Sequence, residues 1–199
     1  MKVGLTGGMG SGKSTICQIF EAFSIPVYYA DSRAKKIMLE NKEVKSKIKK
    51  LLSRESYFRN GRPNRKFIAD KVFTNPSLLT ALNDIVHPAV QDDFENFYHL
   101  HKTSAPYVIN EAALLVENGS YTRFDVLIVV TCPEEIRMQR IMKRDKITAE
   151  AVYDRLKNQL PEEEKVRHAH HVIFNSGEEA LLPQVWTIHQ KLVSQSGKY

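Results

Sequence analysis

The sequence predicts an α/β protein built on a five-stranded parallel sheet. Short apolar runs alternate with longer stretches of helical periodicity, which is typical of strand–helix–strand units. The first predicted strand leads directly into a glycine-rich loop and then a helix. With 199 residues, 42% hydrophobic and 9% aromatic, the chain suffices for one such core and a small appended region.

The predicted strands are short apolar segments bounded by charged residues or turn signals. They cover Lys2–Thr6, 24–30, Pro106–Asn110, Phe124–Cys132 and His171–Asn175. The spacing of apolar residues predicts a first helix over Ser14–Phe23 and a last helix from about Glu178 to Leu192. The chain between Ser32 and about His101 is helical in pattern and predicts an outlying lobe.

The segment between the fourth and fifth predicted strands is highly charged and too long for a simple crossover. We interpret it as a helix, a mobile lid around Arg140–Thr148, and a helix that returns to the core. The prediction is a single domain over 1–199. Its core covers about 1–31, 105–135 and 168–199, its helical lobe about 32–104, and its lid about 136–167.

The glycine-rich loop matches the phosphate-binding pattern G-x-x-x-x-G-K-[ST]. Its glycines permit backbone dihedrals that turn successive N–H groups toward an anion: Gly7, Gly8, Gly10 and Gly12. Lys13 supplies a positive charge for the β- and γ-phosphates, and the Ser14 hydroxyl is placed for Mg²⁺. The alternative is a glycine-rich turn with no ligand, which the strand-loop-helix context disfavours.

The positive charge of the chain is concentrated in one segment. The net charge is +6, and Asp31–Lys71 holds fourteen Lys and Arg against five Asp and Glu. This excess favours an anionic partner, although the lysines also fit a solvated helix face opposite Val44, Ile48 and Leu51. No nucleic-acid-binding motif accompanies it, so we expect no nucleic acid.

The cysteine pattern and hydropathy predict a cytoplasmic protein. Cys17 and Cys132 form no C-x-x-C pair and lie in apolar contexts, which fits buried thiols in a reducing compartment. Neither a signal peptide nor an apolar run of membrane-spanning length is recognisable, so we expect no membrane association.

The motifs that are missing narrow the class of nucleotide-binding protein. A GTPase switch normally carries N-K-x-D and D-x-x-G, and the chain has neither. A large ATPase needs a second nucleotide-contacting module, for which the chain leaves little room. A small-molecule kinase needs a nucleotide core, a lid and an acceptor lobe, and the sequence offers each. Another nucleoside or nucleotide kinase and a non-enzymatic ATP-dependent binding protein stay open as alternatives.

Asp31 is the candidate catalytic carboxylate. It follows the second predicted strand, at the sheet edge where ligands bind in open parallel sheets. A carboxylate there can accept or orient the proton of an acceptor hydroxyl. Asp31 also fits the N-cap of the following helix, and the two roles are compatible.

The lid arginines Arg137, Arg140 and Arg144 fall near helical spacing, so at least two share a face. An arginine brought in by lid closure can neutralise the charge that develops on the transferred phosphoryl group. Ion pairing with Glu134, Glu135 or Asp145 is the alternative, and Arg140 and Arg144 are the stronger candidates.

The histidines carry a weaker signal. From spacing alone, His87 fits an ordinary surface or core residue. His168, His170 and His171 form a cluster without a carboxylate or cysteine at ligand spacing, so we do not predict a zinc site.

Taken together, the motifs resemble those of the dephospho-CoA kinase family along nearly the whole chain. They are "GLTGGMGSGKST", "ADSRAKKIM", "LNDIVHP", "ALLVENG", "RMQRIMKRDKIT", "NQL" and "VIFNSG". Each string is short, and their order and spacing carry the resemblance. It implies a P-loop kinase core with a three-layer fold, a helical CoA-binding lobe and a lid. The implied reaction is transfer of a phosphoryl group from ATP to the ribose 3′-hydroxyl of dephospho-CoA.

The resemblance also implies roles for individual residues. The residues implied to bind ATP are Gly8, Gly10, Ser11, Gly12, Lys13, Ser14, Thr15, Arg144 and Asn175. Those implied to be catalytic are Asp31, Lys13 and Arg140, and those in the dephospho-CoA region are Asp31, His87, Pro88 and Glu117. Ser14 is the implied Mg²⁺ ligand, ATP is the co-substrate, and a monomer is expected, with a small homo-oligomer as the alternative.

Several positions depart from the commonest family pattern, and one of them is His171, which stands where an Asp is frequent. Tyr29 replaces the first acid of the family's Asp-Ala-Asp, so Asp31 is the acid that is kept. Glu111 replaces the Asp that commonly follows the third strand, which keeps a carboxylate on a side chain longer by one methylene.

Overall fold

The computed structural model describes residues 1–157 and 159–197, and Asn158 of the "NQL" motif lies outside them. Its strands are β1 (Lys2–Gly7), β2 (Val27–Tyr29), β3 (Val108–Glu111), β4 (Val126–Thr131) and β5 (His171–Phe174). They form one five-stranded sheet in the order β2-β3-β1-β4-β5, and every pair is parallel. The predicted α/β fold class is confirmed.

The helices of the described residues connect these strands and extend beyond them. They are α1 (Lys13–Ala22), α2 (Ala30–Glu40), α3 (Lys42–Leu51), α4 (Arg65–Phe73), α5 (Pro76–His101), α6 (Glu134–Asp145), α7 (Ala149–Leu156), α8 (Glu162–Arg167) and α9 (Leu181–Ser196). Short 3-10 helices cover Arg54–Ser56 and Ser120–Arg123. None of the helices described is both long and apolar enough to cross a bilayer.

The central strands are apolar because helices and loops cover both faces of the sheet. All six residues of β4 are buried, as are five of the six residues of β1. On one face, alternate strand residues such as Leu5 and Ile128 pack against Phe20 of α1 and Ile188 of α9. On the other face, Val129 belongs to a second cluster that includes the loop after β3 and α8. The result is three layers.

The chain divides into two compact units, Met1–Tyr29 with the chain from Tyr98 onward, and Ala30–Phe97. The second unit has its own core, in which Val44 and Ile48 of α3 are buried. Leu51 is half-buried against the same core, as the amphipathic pattern of α3 predicts. Assignment of this unit as an acceptor-binding lobe stays a prediction.

The second strand ends earlier than the pattern predicts. Tyr29 pairs with Glu111, which is the last residue of β3, so the edge strand has no ladder partner beyond that point. The backbone turns into α2 at Ala30, and Asp31 becomes the second residue of that helix. Asp31 is therefore neither a strand residue nor an N-cap.

The segment that was interpreted as a mobile lid around Arg140–Thr148 is mostly helical. The helix α6 continues to Asp145, and Lys146 ends it in a left-handed conformation with φ of 54°. Thr148 then caps α7, where its side chain accepts a hydrogen bond from the Ala151 N–H. Arg140 and Arg144 therefore belong to one helix, and the connection between α6 and α7 is short. The mobility of this segment as a lid stays a prediction.

The side chain of His189 makes the stability of the first unit sensitive to mild acid. Its Nδ1 lies 2.7 Å from the hydroxyl of the buried Tyr107, and burial lowers the pKa of His189 below its ordinary 6.5. Below pH 6.5 the unfolded chain therefore binds more protons at this site than the folded chain does. We expect the free energy of unfolding to fall as the pH drops through this region.

Urea denaturation at a series of pH values measures the effect. The free energy of unfolding of His189→Gln should fall less steeply as the pH drops. Burial also lowers the pKa of His171, so the variant keeps part of the pH dependence. Equal slopes for the variant and the parent would contradict the role given to His189.

Candidate active site

The loop between β1 and α1 depends on glycine for its conformation. Gly10 and Gly12 have φ of 80° and 93°, in the left-handed region where side chains are strained. A Cβ atom added at Gly12 would lie 2.2 Å from the Asn175 side-chain nitrogen. Gly12 is thus required both by its dihedrals and by the close approach of Asn175.

The loop ends at a helix N-terminus suited to an anion. No acidic residue lies in the first turn of α1, and no side chain caps it. Such a terminus carries unsatisfied N–H groups and a partial positive charge. Ser14 and Thr15 of the first turn are exposed. The arrangement favours a phosphate at this end of α1.

Lys13 folds back over the start of the loop. Its ammonium donates to the Gly7 carbonyl at 3.0 Å and to the Gly8 carbonyl at 3.4 Å. Ser11 is fully buried, and its N–H donates to the Gly8 carbonyl at 3.2 Å, which helps to set the shape of the loop. The loop therefore presents a fixed backbone with one ammonium group above it.

Arg140 and Asn175 meet at this loop, and their roles in catalysis and ATP binding stay predictions. Arg140 donates to the Gly10 carbonyl at 3.4 Å and to the Asn175 Oδ1 at 3.3 Å. The Asn175 amide donates in turn to the Ser11 carbonyl at 2.8 Å. Arg140 also approaches the Cys132 sulfur at 3.3 Å, and across the described part of the chain it forms no ion pair with a carboxylate. Its charge is available to a phosphate.

Arg137 and Arg144 differ from Arg140 because carboxylates neutralise them. The Arg137 guanidinium lies 3.3 Å from Glu162 and 3.7 Å from Glu134. Arg144 pairs with Asp145 at 2.7 Å, and this hydrogen bond raises the pKa of Arg144 further. The ion-pair alternative thus describes these two arginines, and a role for Arg144 in ATP binding stays a prediction.

Glu117 lies in a buried ion pair that the sequence did not reveal. Its carboxylate is 2.6 Å from the ammonium of Lys165, which is completely buried in α8. Five of the six residues of α8 are charged, so no pattern marks Lys165 as an interior residue. A contact between Glu117 and the substrate stays a prediction.

Gln159 lies in the "NQL" motif, but the sequence predicted no individual role for it. Its side-chain oxygen accepts a hydrogen bond of 2.9 Å from the Met9 N–H in the phosphate loop. Met9 also packs against Ile141 and Val152 in the cluster between α6 and α7. The α6–α7 segment and the loop are therefore in direct contact.

Three of the four predicted acceptor residues, Asp31, His87 and Pro88, belong to the second unit, whereas Glu117 belongs to the first. Asp31 is exposed in the first turn of α2, two residues after the end of β2 in the chain. His87 and Pro88 are exposed on α5, where Pro88 interrupts the helical hydrogen bonding and lines a hollow of about 330 Å³. Their contact with dephospho-CoA stays a prediction.

The histidine cluster has structural contacts. The His170 Nδ1 accepts a hydrogen bond of 3.1 Å from the Leu127 N–H, and the His168 ring packs on Tyr121. Among residues 1–157 and 159–197, no group of three His, Cys, Asp or Glu side chains is arranged to hold a metal ion.

Comparison with known proteins gives one consistent result. The family model described as dephospho-CoA kinase matches residues 1–180. A dephospho-CoA kinase of Bacteroides fragilis is 32% identical over 185 residues, which cover 93% of this chain and 89% of the relative. One from Syntrophotalea carbinolica is 35% identical over 193 residues, covering 96% and 92%.

Solved structures agree with the sequence comparison. A crystal structure from Thermus thermophilus superimposes with a TM-score of 0.81 at 33% identity, covering 98% of this chain and 97% of the other. The structure of a dephospho-CoA kinase from Campylobacter jejuni gives a TM-score of 0.72 at 28% identity, covering 98% and 99%.

The glycine requirement can be tested with a matched pair of variants. Gly12→Ala forces a left-handed φ on alanine and drives its methyl group into Asn175, so we expect ATP affinity to fall about tenfold or more. Gly119→Ala has a similar φ of 71° but open space around the added methyl group. Calorimetric titration with ATP should show normal affinity in Gly119→Ala, and equal affinities in the two variants would refute the requirement.

Proposed function

The chain belongs to the dephospho-CoA kinase family, and we propose that Lys13, Arg140 and Asp31 carry out its phosphoryl transfer. Its activity is the ATP-dependent phosphorylation of dephospho-CoA in coenzyme A biosynthesis. The acceptor group that we propose is the ribose 3′-hydroxyl. The observation that carries the proposal is the meeting of Lys13, Arg140 and Asn175 on a loop shaped for phosphate.

The first role is stabilisation of charge on the phosphoryl group. Phosphoryl transfer needs little covalent help, because positioning and electrostatics supply most of the rate. Lys13 lies over the loop, and Arg140 reaches it from α6 without a compensating carboxylate in the described chain. We assign both cations to the β- and γ-phosphate oxygens, where they neutralise the charge that develops during transfer.

The second role is preparation of the acceptor hydroxyl. Asp31 follows β2 closely, and the carboxyl ends of parallel strands share one edge of the sheet. We assign its exposed carboxylate to the proton of the acceptor hydroxyl, as base or as orienting group. Glu111 is the last residue of the neighbouring strand β3, where it pairs with Tyr29.

The donor set fits a Mg²⁺ ion that arrives with ATP. Mg²⁺ in kinases usually binds one or two protein oxygens, the substrate phosphates and several waters. Ser14 offers an exposed hydroxyl at the start of α1, directly after Lys13. Ser14 would hold the ion, which would supply positive charge to stabilise the phosphate groups.

The basic second unit is the site that we assign to the acceptor's pyrophosphate. The ammonium groups of Lys45 and Lys49 lie 5.8 and 5.4 Å from the centre of the Tyr57 ring. Neither forms an ion pair within the described chain, whereas Lys47 on the same helix pairs with Glu43 at 2.7 Å. Two uncompensated cations on one ring favour a dianionic ligand over solvent.

The enzyme is assigned to the cytoplasm and to the monomeric state. Both free cysteines are buried as thiols, which fits a reducing compartment. ATP and dephospho-CoA are its small-molecule partners. Gel filtration with light scattering checks the monomer, and a stable dimer would overturn it.

The reaction is tested by release of ADP from ATP and Mg²⁺ with dephospho-CoA, AMP or adenosine as separate acceptors. We expect stimulation by dephospho-CoA and a product with the mass of CoA. The double variant Lys45→Ala with Lys49→Ala should raise KM for dephospho-CoA about thirtyfold without changing KM for ATP, since each of the two lost phosphate contacts costs on the order of 1 kcal/mol.

Lys47→Ala is the matched control on the same helix, because its charge is already paired. Equal KM values for the double variant and the control would remove the pyrophosphate assignment. ATP binding without turnover of any acceptor would overturn the kinase assignment itself.

Asp31→Asn tests the proposed base. The amide keeps the size of the side chain but cannot accept the proton, so we expect kcat to fall about a hundredfold or more with the fold intact. Asp70→Asn alters another exposed carboxylate of the same unit and should keep normal turnover. Near-normal kcat in Asp31→Asn, with an unchanged melting temperature, would exclude Asp31 as the base.

A further inference from the structure

A buried pair of opposite charges lies directly against the phosphate loop. Arg137 is 9% exposed, and its Nη1 lies 3.3 Å from the Glu162 Oε1. A Cβ atom added at Gly8 would lie 2.4 Å from that Arg137 nitrogen and 2.9 Å from that Glu162 oxygen. The pair therefore packs on the backbone of the loop at Gly8.

Both members of the pair also lie close to other groups around the loop. The second oxygen of Glu162 accepts a hydrogen bond of 3.2 Å from the Cys132 N–H, just after β4. The Arg137 carbonyl oxygen lies 2.8 Å from the position of a Cβ atom at Gly10. With the bond from Met9 to Gln159, each residue of Gly8–Gly10 abuts a group from α6 or from the segment that leads into α8.

The burial of these charges is costly unless they remain together. Burial raises the pKa of Glu162, and the Arg137 guanidinium opposes this shift. Removal of either partner leaves the other as an uncompensated buried charge, which must draw in water or move. Either response displaces atoms that touch Gly8.

The charge of Arg137 is neutralised by nearby carboxylates, which argues against a direct role on the transferred phosphoryl group. Glu162 and Glu134 both approach its guanidinium, at 3.3 and 3.7 Å. Arg140, one helical turn further along α6, contacts the Gly10 carbonyl and Asn175 instead. The same helix thus carries one neutralised arginine against the loop and one that is available to phosphate.

We propose that Arg137 and Glu162 are positioning residues that hold Gly8–Gly10 in the conformation that binds ATP. The inference rests on the proposed function, but its effect is on ATP binding and precedes any transfer. It predicts that breaking the pair raises Kd for ATP while kcat at saturating ATP changes much less.

The experiment is calorimetric titration of ATP with Mg²⁺ in the absence of acceptor, followed by steady-state kinetics. Arg137→Gln and Glu162→Gln should each raise Kd for ATP about tenfold or more. The loss of ATP-binding free energy in the double variant should be smaller than the sum of the losses in the two single variants, because each single variant already breaks the pair. Arg137→Lys keeps the positive charge on a shorter side chain, so it should retain more of the affinity for ATP than Arg137→Gln. It replaces Arg137→Gln in the experiment if that variant does not fold.

Arg167→Gln and Glu164→Gln are matched controls, because they break an exposed ion pair of 2.7 Å on the same helix α8. Both should bind ATP normally.

Loss of kcat in Arg137→Gln at normal Kd, with Glu162→Gln unaffected, would place Arg137 on the transferred group and overturn the proposal. A lowered melting temperature with normal Kd and kcat would make the pair merely structural and would also overturn it. Altered Kd without dephospho-CoA turnover would refute the proposed reaction alone.

Discussion

The parallel register of β1, β4 and β5 is the constraint on which the site depends. Gly7 pairs with Val130, and Thr131 pairs with Phe174, so the carboxyl ends of the three strands lie side by side. The residues that follow these strands are the phosphate loop, Cys132 and Asn175. A parallel sheet therefore brings together groups that are far apart in sequence, before any side chain is chosen.

Side chains then fix the loop from two sides. Asn175 and Arg140 hold Ser11 and Gly10 through hydrogen bonds, and the Arg137–Glu162 pair packs on Gly8. The glycines make these approaches feasible, because a Cβ atom would occupy the same space. The anion-binding loop is thus shaped by its neighbours as much as by its own dihedrals, which is how a preorganised site avoids the cost of rearranging on binding.

The charged side chains fall into two groups, those with a carboxylate partner and those without one among the described residues. Buried cations such as Lys165 and Arg137 have carboxylate partners close by, as low-dielectric surroundings require. Among the described residues, neither Arg140 nor Lys45 nor Lys49 has a carboxylate partner, and both lysines lie near the Tyr57 ring. Paired charges stabilise the fold, whereas these uncompensated charges can be neutralised by the phosphates of ligands.

The sequence by itself determined the α/β class and the phosphate loop, because each depends on local periodicity or on a motif of fixed spacing. Helical spacing made Arg140 a candidate, whereas Asn175 was a candidate only through the resemblance to the family. The sequence could not determine the end of β2, which depends on where β3 stops providing a ladder partner at Glu111. It ranked Arg140 above Arg137 but could not reveal the ion pair of Arg137 with Glu162, because the helix that holds Glu162 reads as an exposed charged run. Tertiary structure decided these points because burial and pairing of charge depend on distances between segments remote in the chain.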